Sequence, residues 1–137
     1  MKWINKQFGE MEFEEKHVVY FPEGLIGFEE FKKFLIINDE SSEPFRWLVS
    51  LEDEEIAFPI IDPELVLEGY AQKYLFINNV TLFSVVSIKS DMALSTVNLR
   101  SPLVIDSSDR NGKQLVLDED ELQVRAPLSQ LAATIAE

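Results

Sequence analysis

The stretch VVYFPEGLIGFEEFKKFLII, residues 18–37, changes character twice and sets the reading of the whole chain. Val18, Val19, Tyr20 and Phe21 form a β-branched and aromatic run that suits a half-buried pleated surface. Pro22 and Gly24 end it, because proline donates no ladder hydrogen bond and glycine admits a positive φ. Leu25, Ile26 and Gly27 lead on to Phe28, Phe31 and Phe34 at spacing i, i+3, i+6, with Glu29, Glu30, Lys32 and Lys33 between them. That spacing fits a single helical turn, after which Phe34 to Ile37 reads as strand again. All three phenylalanines are expected in the core, both glycines are expected to be required by the backbone, and no partner surface is expected here. Strand, glycine-bounded turn and strand in so short a space is the pattern of a small, tightly wound β protein.

Working outward, residues 8–19 alternate imperfectly. Met11 and Phe13 facing in, with Glu10, Glu12 and Glu14 facing out, make an amphipathic strand with an acidic face. Residues 38–44 (NDESSEP) are a loop, and residues 45–51 (FRWLVSL) a strand. Glu52, Asp53, Glu54 and Glu55 interrupt it as a solvated turn, and a strand resumes over residues 56–61, demoted to an edge or bulge by Pro59. Asp62-Pro63-Glu64 is a helix start, with a capping side chain, proline at the first position and an acid at the positive dipole end. The short helix through Leu65, Val66, Leu67 and Tyr70 is weakened or ended by Gly69.

Strands are expected over residues 74–77 and 81–89, joined by a turn at Asn78-Asn79. In the second, Phe83, Val85 and Ser87 share one face and Leu82, Ser84, Val86 and Ile88 the other. Residues 96–99 and 103–105 are short strands, and DSSDRNG (residues 106–112) is a hairpin loop from which residues 113–117 pair back. A second acidic run fills residues 118–121, residues 122–125 are a last strand, and Pro127 breaks it. Leu128, Leu131, Ala132 and Ile135 then fall at i, i+3, i+4, i+7, an amphipathic C-terminal helix. The expected fold is therefore all-β: one barrel-like or two-sheet domain over residues 1–137, built of short antiparallel strands with one or two short helices, and with residues 129–137 as a helical tail.

Composition narrows the function. The 137 residues suffice for one core, and a 46% hydrophobic fraction with ten phenylalanines marks a globular chain. No apolar run reaches the roughly 18 residues that span a bilayer, so no membrane role is expected. MKWINKQFGEMEFEE, residues 1–15, offers no secretory signal, which with the absence of cysteine points to the cytoplasm. Twelve basic against 25 acidic residues give a net charge of −13. Residues 1–70 hold 17 acids and 6 bases, whereas residues 71–137 hold 8 and 6. Such a surface repels nucleic acid and anionic lipid and speeds encounter with basic partners.

Catalysis finds no support in the residues. His17 is the lone histidine, no serine lies in a G-x-S-x-G turn, and neither acidic run has calcium-loop spacing. No phosphate cradle occurs either, so no cofactor and no metal are expected. What remains is binding, through exposed acids beside apolar anchors. The candidates are Glu52, Asp53, Glu54 and Glu55 next to Leu51, Ile56 and Phe58, and the strand bearing Glu10, Glu12 and Glu14.

Several segments together resemble the flagellar assembly factor FliW family. They are FPEGLIGFE (residues 21–29), PFRWLVSL (44–51), FPIIDP (58–63) with Tyr70 downstream, NLRSPLVID (98–106), GKQLVL (112–117) and RAPL (125–128). Residues 129–137 run past the last of these. The resemblance implies a small cytoplasmic β-barrel-like protein without enzymatic activity. It further implies binding to the translational repressor CsrA, which relieves repression of flagellin synthesis, and binding to flagellin itself, as a partner switch. A different class of reading is an acidic β-barrel that holds a small ligand or carbohydrate in its mouth or a cleft.

Overall fold

A computed structural model describes residues 1–74, 80–119 and 121–128. The fold is all-β. A hairpin of β1 (Lys2–Asn5) and β2 (Gly9–Glu12) stands apart from one larger sheet. That sheet runs β10 (Gly112–Gln114), β9 (Leu103–Asp106), β7 (Val80–Ser87), β6 (Ala57–Ile61), β5 (Arg46–Ser50), β4 (Lys33–Ile37) and β3 (Val19–Tyr20). β8 (Thr96–Val97) branches from the end of β7, and β11 (Ala126–Pro127) pairs with β8. All these ladders are antiparallel.

The sheet is rolled, and its period-2 pattern explains why. Val19, Phe34, Leu48, Ile60, Phe83 and Leu103, from six successive strands, are all buried in one cluster with Phe21 and Leu25. Each strand gives its inward residue to a shared interior, and Phe21 and Phe34 meet edge to face at 5.5 Å. Among the described residues the two ends of the sheet meet at a single bridge, where Tyr20 N–H donates to Arg110 O at 3.0 Å beside the Tyr20–Asn111 contact. The roll is thus barrel-like without being a fully closed barrel. The opposite face is also covered: Ile61, Val86 and Val97 form a second core with Val66, Tyr70, Leu99 and Leu128. Ser84 points away from the first core and is fully buried, with a hydroxyl that finds no partner among the described residues. Ser84→Ala removes an uncompensated polar group, so its thermal midpoint is expected to be unchanged or higher.

Several local expectations are corrected. Residues 28–34 form no helical turn. Gly24 N–H donates to Phe21 O, Phe28 N–H to Leu25 O and Phe31 N–H to Phe28 O, so the three-residue spacing follows consecutive tight turns. Of the three phenylalanines Phe34 is fully buried, Phe31 packs at the edge of the core, and Phe28 is 36% exposed. β6 is an interior strand despite Pro59. Ser50 N–H bonds to Ile56 O, which by alternation makes Trp47–Pro59 a non-hydrogen-bonded pair, and β7 joins only from Ile60 onward.

Asp62 does cap the next turn, accepting from Glu64 N–H at 3.0 Å, but that turn is a single 3-10 turn (Pro63–Leu65). At Gly69 φ is +81°, and a separate helix α1 (Tyr70–Tyr74) starts beyond it, its first turn held by the Glu64 carboxylate. Residues 122–125 form no strand, and Pro127 lies within β11 instead of breaking a strand before it. Tyr74 closes α1 rather than opening a strand; the rest of the expected strand (75–77), the turn at 78–79 and the tail helix beyond Leu128 lie outside the described residues.

Candidate functional site

The acidic run of residues 52–55 is the loop between β5 and β6, and its four carboxylates are not equivalent. The hydroxyl of buried Ser50 accepts the N–H groups of Glu52 at 3.0 Å and Asp53 at 3.1 Å, fixing the start of the turn. Glu52 reaches back to β4, accepting from Lys32 N–H at 2.5 Å and Lys33 N–H at 2.9 Å. Asp53 accepts from Glu55 N–H at 2.9 Å. These two side chains hold the loop together. Glu54 and Glu55 project outward, and Lys6 meets both, at 3.9 Å and 2.6 Å. The hydrogen bond and charge of Glu55 raise the Lys6 pKa above its ordinary value.

Lys6 sits in the turn of the β1–β2 hairpin, so the structure joins the two acidic candidates. Lys6 N–H donates to Glu54 O at 2.8 Å, and the carboxamide of buried Asn5 donates to Ile56 O at 3.4 Å. The same Asn5 side chain accepts from Gln7 and Phe8 N–H, and Phe8 packs edge to face on Trp47. On the hairpin, Lys2 lies 3.4 Å from Glu10 and 3.7 Å from Glu12. Glu10, Glu12, Glu54 and Glu55 thus share a docked hairpin-and-loop unit in which Lys2 and Lys6 pair with them. Glu14 lies beyond the hairpin, pairs with Lys16 at 3.4 Å, and its N–H donates to Nδ1 of His17. The lone histidine therefore serves a local turn.

Core phenylalanines and leucines pack together in the interior of the roll. Among the described residues no group of three His, Asp or Glu is placed to hold a metal ion, and no helix is long and apolar enough to cross a membrane. One feature that the sequence pattern did not single out is a cleft of about 530 Å³, whose lining includes Leu25, Ile26, Phe28, Phe58, Val116 and Val124. Periodicity places Phe28 in the core, and only the assembled turn turns it outward.

The sequence model of the family described as FliW protein matches residues 2–128. The chain belongs to the FliW family. The flagellar assembly factor FliW of Caldanaerobacter subterraneus subsp. tengcongensis is 34% identical over 139 residues, spanning 93% of this chain and 93% of its own. That of Thermosipho africanus is 36% identical over 139 residues, spanning 93% and 96%. A crystal structure of the flagellar assembly factor FliW superposes with a TM-score of 0.81 at 27% identity, covering 93% of this chain and 96% of that one. The FliW match takes in both acidic candidates and the cleft, so neither is an appendage to the family fold.

Proposed function

We propose that this chain is a cytoplasmic, non-enzymatic flagellar assembly factor that binds the translational repressor CsrA and flagellin by turns. Free flagellin occupies the factor and leaves CsrA to repress; exported flagellin releases it, and synthesis resumes. The observation that carries this reading is the FliW family match across residues 2–128. Charge supports it: a net −13 chain suits a protein partner that must itself present basic surface to RNA. The proposed contact for CsrA is the exposed part of the acidic unit, Glu54 and Glu55 with Glu10 and Glu12. Glu52, Asp53 and Glu14 act there by holding loops in place.

Co-elution of the purified chain with CsrA and with flagellin tests the reading, and binding to neither removes it. The contact has its own test. Glu54→Lys with Glu55→Lys is expected to weaken CsrA binding about tenfold and to flatten its salt dependence, with the thermal midpoint nearly unchanged. Glu52→Lys, in contrast, is expected to lower the midpoint, since it strips an acceptor from two backbone N–H groups. Equal CsrA affinity in the double variant would move the interface off this loop.

A further inference from the structure

A second concavity, of about 400 Å³, brings apolar side chains and carboxylates together at the end of the sheet that carries β9 and β10. Strand register explains the mixture. On β9, Leu103 and Ile105 enter the first core, so Val104 and Asp106 face the other way. Val80 of β7 lies opposite Asp106, and Lys113 of β10 lies opposite Val104. Val80, Val104 and Leu115 line the groove as half-buried side chains. Glu23 joins them from the turn after Phe21, where the fit is close: a Cβ on Gly112 would fall 2.4 Å from the Phe21 ring. Asp109 comes from the loop after β9, which is fixed by Asp106 N–H donating to Asn111 O at 2.9 Å and Arg110 N–H donating to Asp106 O at 2.8 Å. A preformed concavity with apolar surface and a few placed polar groups is what binding sites share.

Charge selects the occupant. Glu23, Asp106 and Asp109 line the groove with one base, Lys113. The described residues hold all twelve lysines and arginines of the chain, and none of these pairs with the three carboxylates. Arg110, the cation of the loop itself, is drawn off: its Nη1–H donates to Glu15 O at 2.7 Å, and it does not line the groove. Ser108 donates to Asp106 through its hydroxyl at 2.7 Å and its N–H at 2.8 Å, which lowers the Asp106 pKa and keeps it ionised. Such neutral donors leave the charge uncompensated. Arginine suits this surface, because its stem lies along apolar groups while its planar fork meets carboxylate oxygens. We propose that this groove docks a peptide segment of a partner protein in which an arginine stands among apolar residues. Val80, Val104 and Leu115 take the stem and its apolar neighbours, and Glu23, Asp106 and Asp109 take the guanidinium. The proposal goes beyond the CsrA contact, since the groove shares no residue with the acidic loop or the β1–β2 hairpin.

Two synthetic peptides of about eight residues with blocked ends test it, one with arginine between valines and one with citrulline, its neutral isostere, in that place. Binding is read by anisotropy of an uncharged label at about 0.15 M salt. The arginine peptide is expected to bind about tenfold more tightly than the citrulline peptide. A chain of net −13 attracts any cation, so two charge-matched double variants separate the groove from that background. Glu23→Gln with Asp109→Asn should remove the preference, whereas Glu10→Gln with Glu12→Gln, on the distant hairpin, should leave it within about twofold. Glu23 and Asp109 are exposed, an asparagine at 109 still offers Asn111 N–H an acceptor, and a thermal melt of each variant checks its fold. Failure of both peptides to bind, equal binding of the two, or an equal loss of preference in both double variants overturns the proposal.

Discussion

Gly24→Ala is expected to cost about 3–5 kcal/mol of folding stability, and Gly27→Ala only about 1 kcal/mol. Both glycines have positive φ, +68° and +87°, so both variants carry the strain of a left-handed backbone. The difference lies in what a methyl group would meet. A Cβ on Gly24 falls 2.6 Å from the Cα and carbonyl oxygen of Glu29, backbone atoms that cannot swing aside, whereas one on Gly27 meets nothing within 4 Å. Opening the turn at Gly24 would also strain its N–H bond to Phe21 O and the seat of Phe21, which is fully buried in the first core. A loss of that size is a large share of the 5–15 kcal/mol typical of a domain. Urea unfolding of the two variants with unchanged slopes measures it directly, and equal midpoints would show that the turn relaxes around the added carbon.

Much of this fold is legible because strands announce themselves by alternation and turns by glycine and proline. What alternation cannot show is which neighbour a strand meets. Pro59 reads as an edge residue because proline lacks a donor, and chemically that reading is sound. Its nitrogen faces the side on which β7 has not yet joined, so an interior strand carries it without loss. Pro127 follows the same rule. Leu128 N–H bonds to Ser95 O, which leaves Pro127–Thr96 as a non-hydrogen-bonded pair on the outer edge of β11. Proline therefore reports the local absence of a partner on one side, and the sequence alone reads this too broadly as the end of a strand.

The acidic candidates divide for a similar reason. A run of four carboxylates looks uniform in sequence, since composition reports charge without direction. Loop geometry makes Glu52 and Asp53 acceptors for backbone N–H groups and leaves Glu54 and Glu55 outside with Lys6. The link between this loop and the hairpin runs through Asn5 and Lys6, which carry no distinguishing pattern of their own. The cleft was hidden for the opposite reason. Its apolar walls are spread over residues 25–28, 58, 116 and 124, and an isolated valine or isoleucine in sequence reads as core.

The three phenylalanines of the glycine-turn segment put these distinctions on one scale. Phe34→Ala is expected to cost about 3–5 kcal/mol, because it removes a ring that is fully buried in β4 against Phe21 and leaves a cavity in the ring of strands. Phe28→Ala is expected to cost about 1 kcal/mol, mostly its edge-to-face contact with Phe58. Phe31, half-buried at the margin of the core, should fall between them. Identical spacing would give three similar losses if the segment were a helical turn facing inward, so chemical denaturation of the three alanine variants separates a helix from a series of tight turns. If Phe28→Ala instead destabilises the chain as strongly as Phe34→Ala, its ring belongs to the core and not to the half-exposed turn.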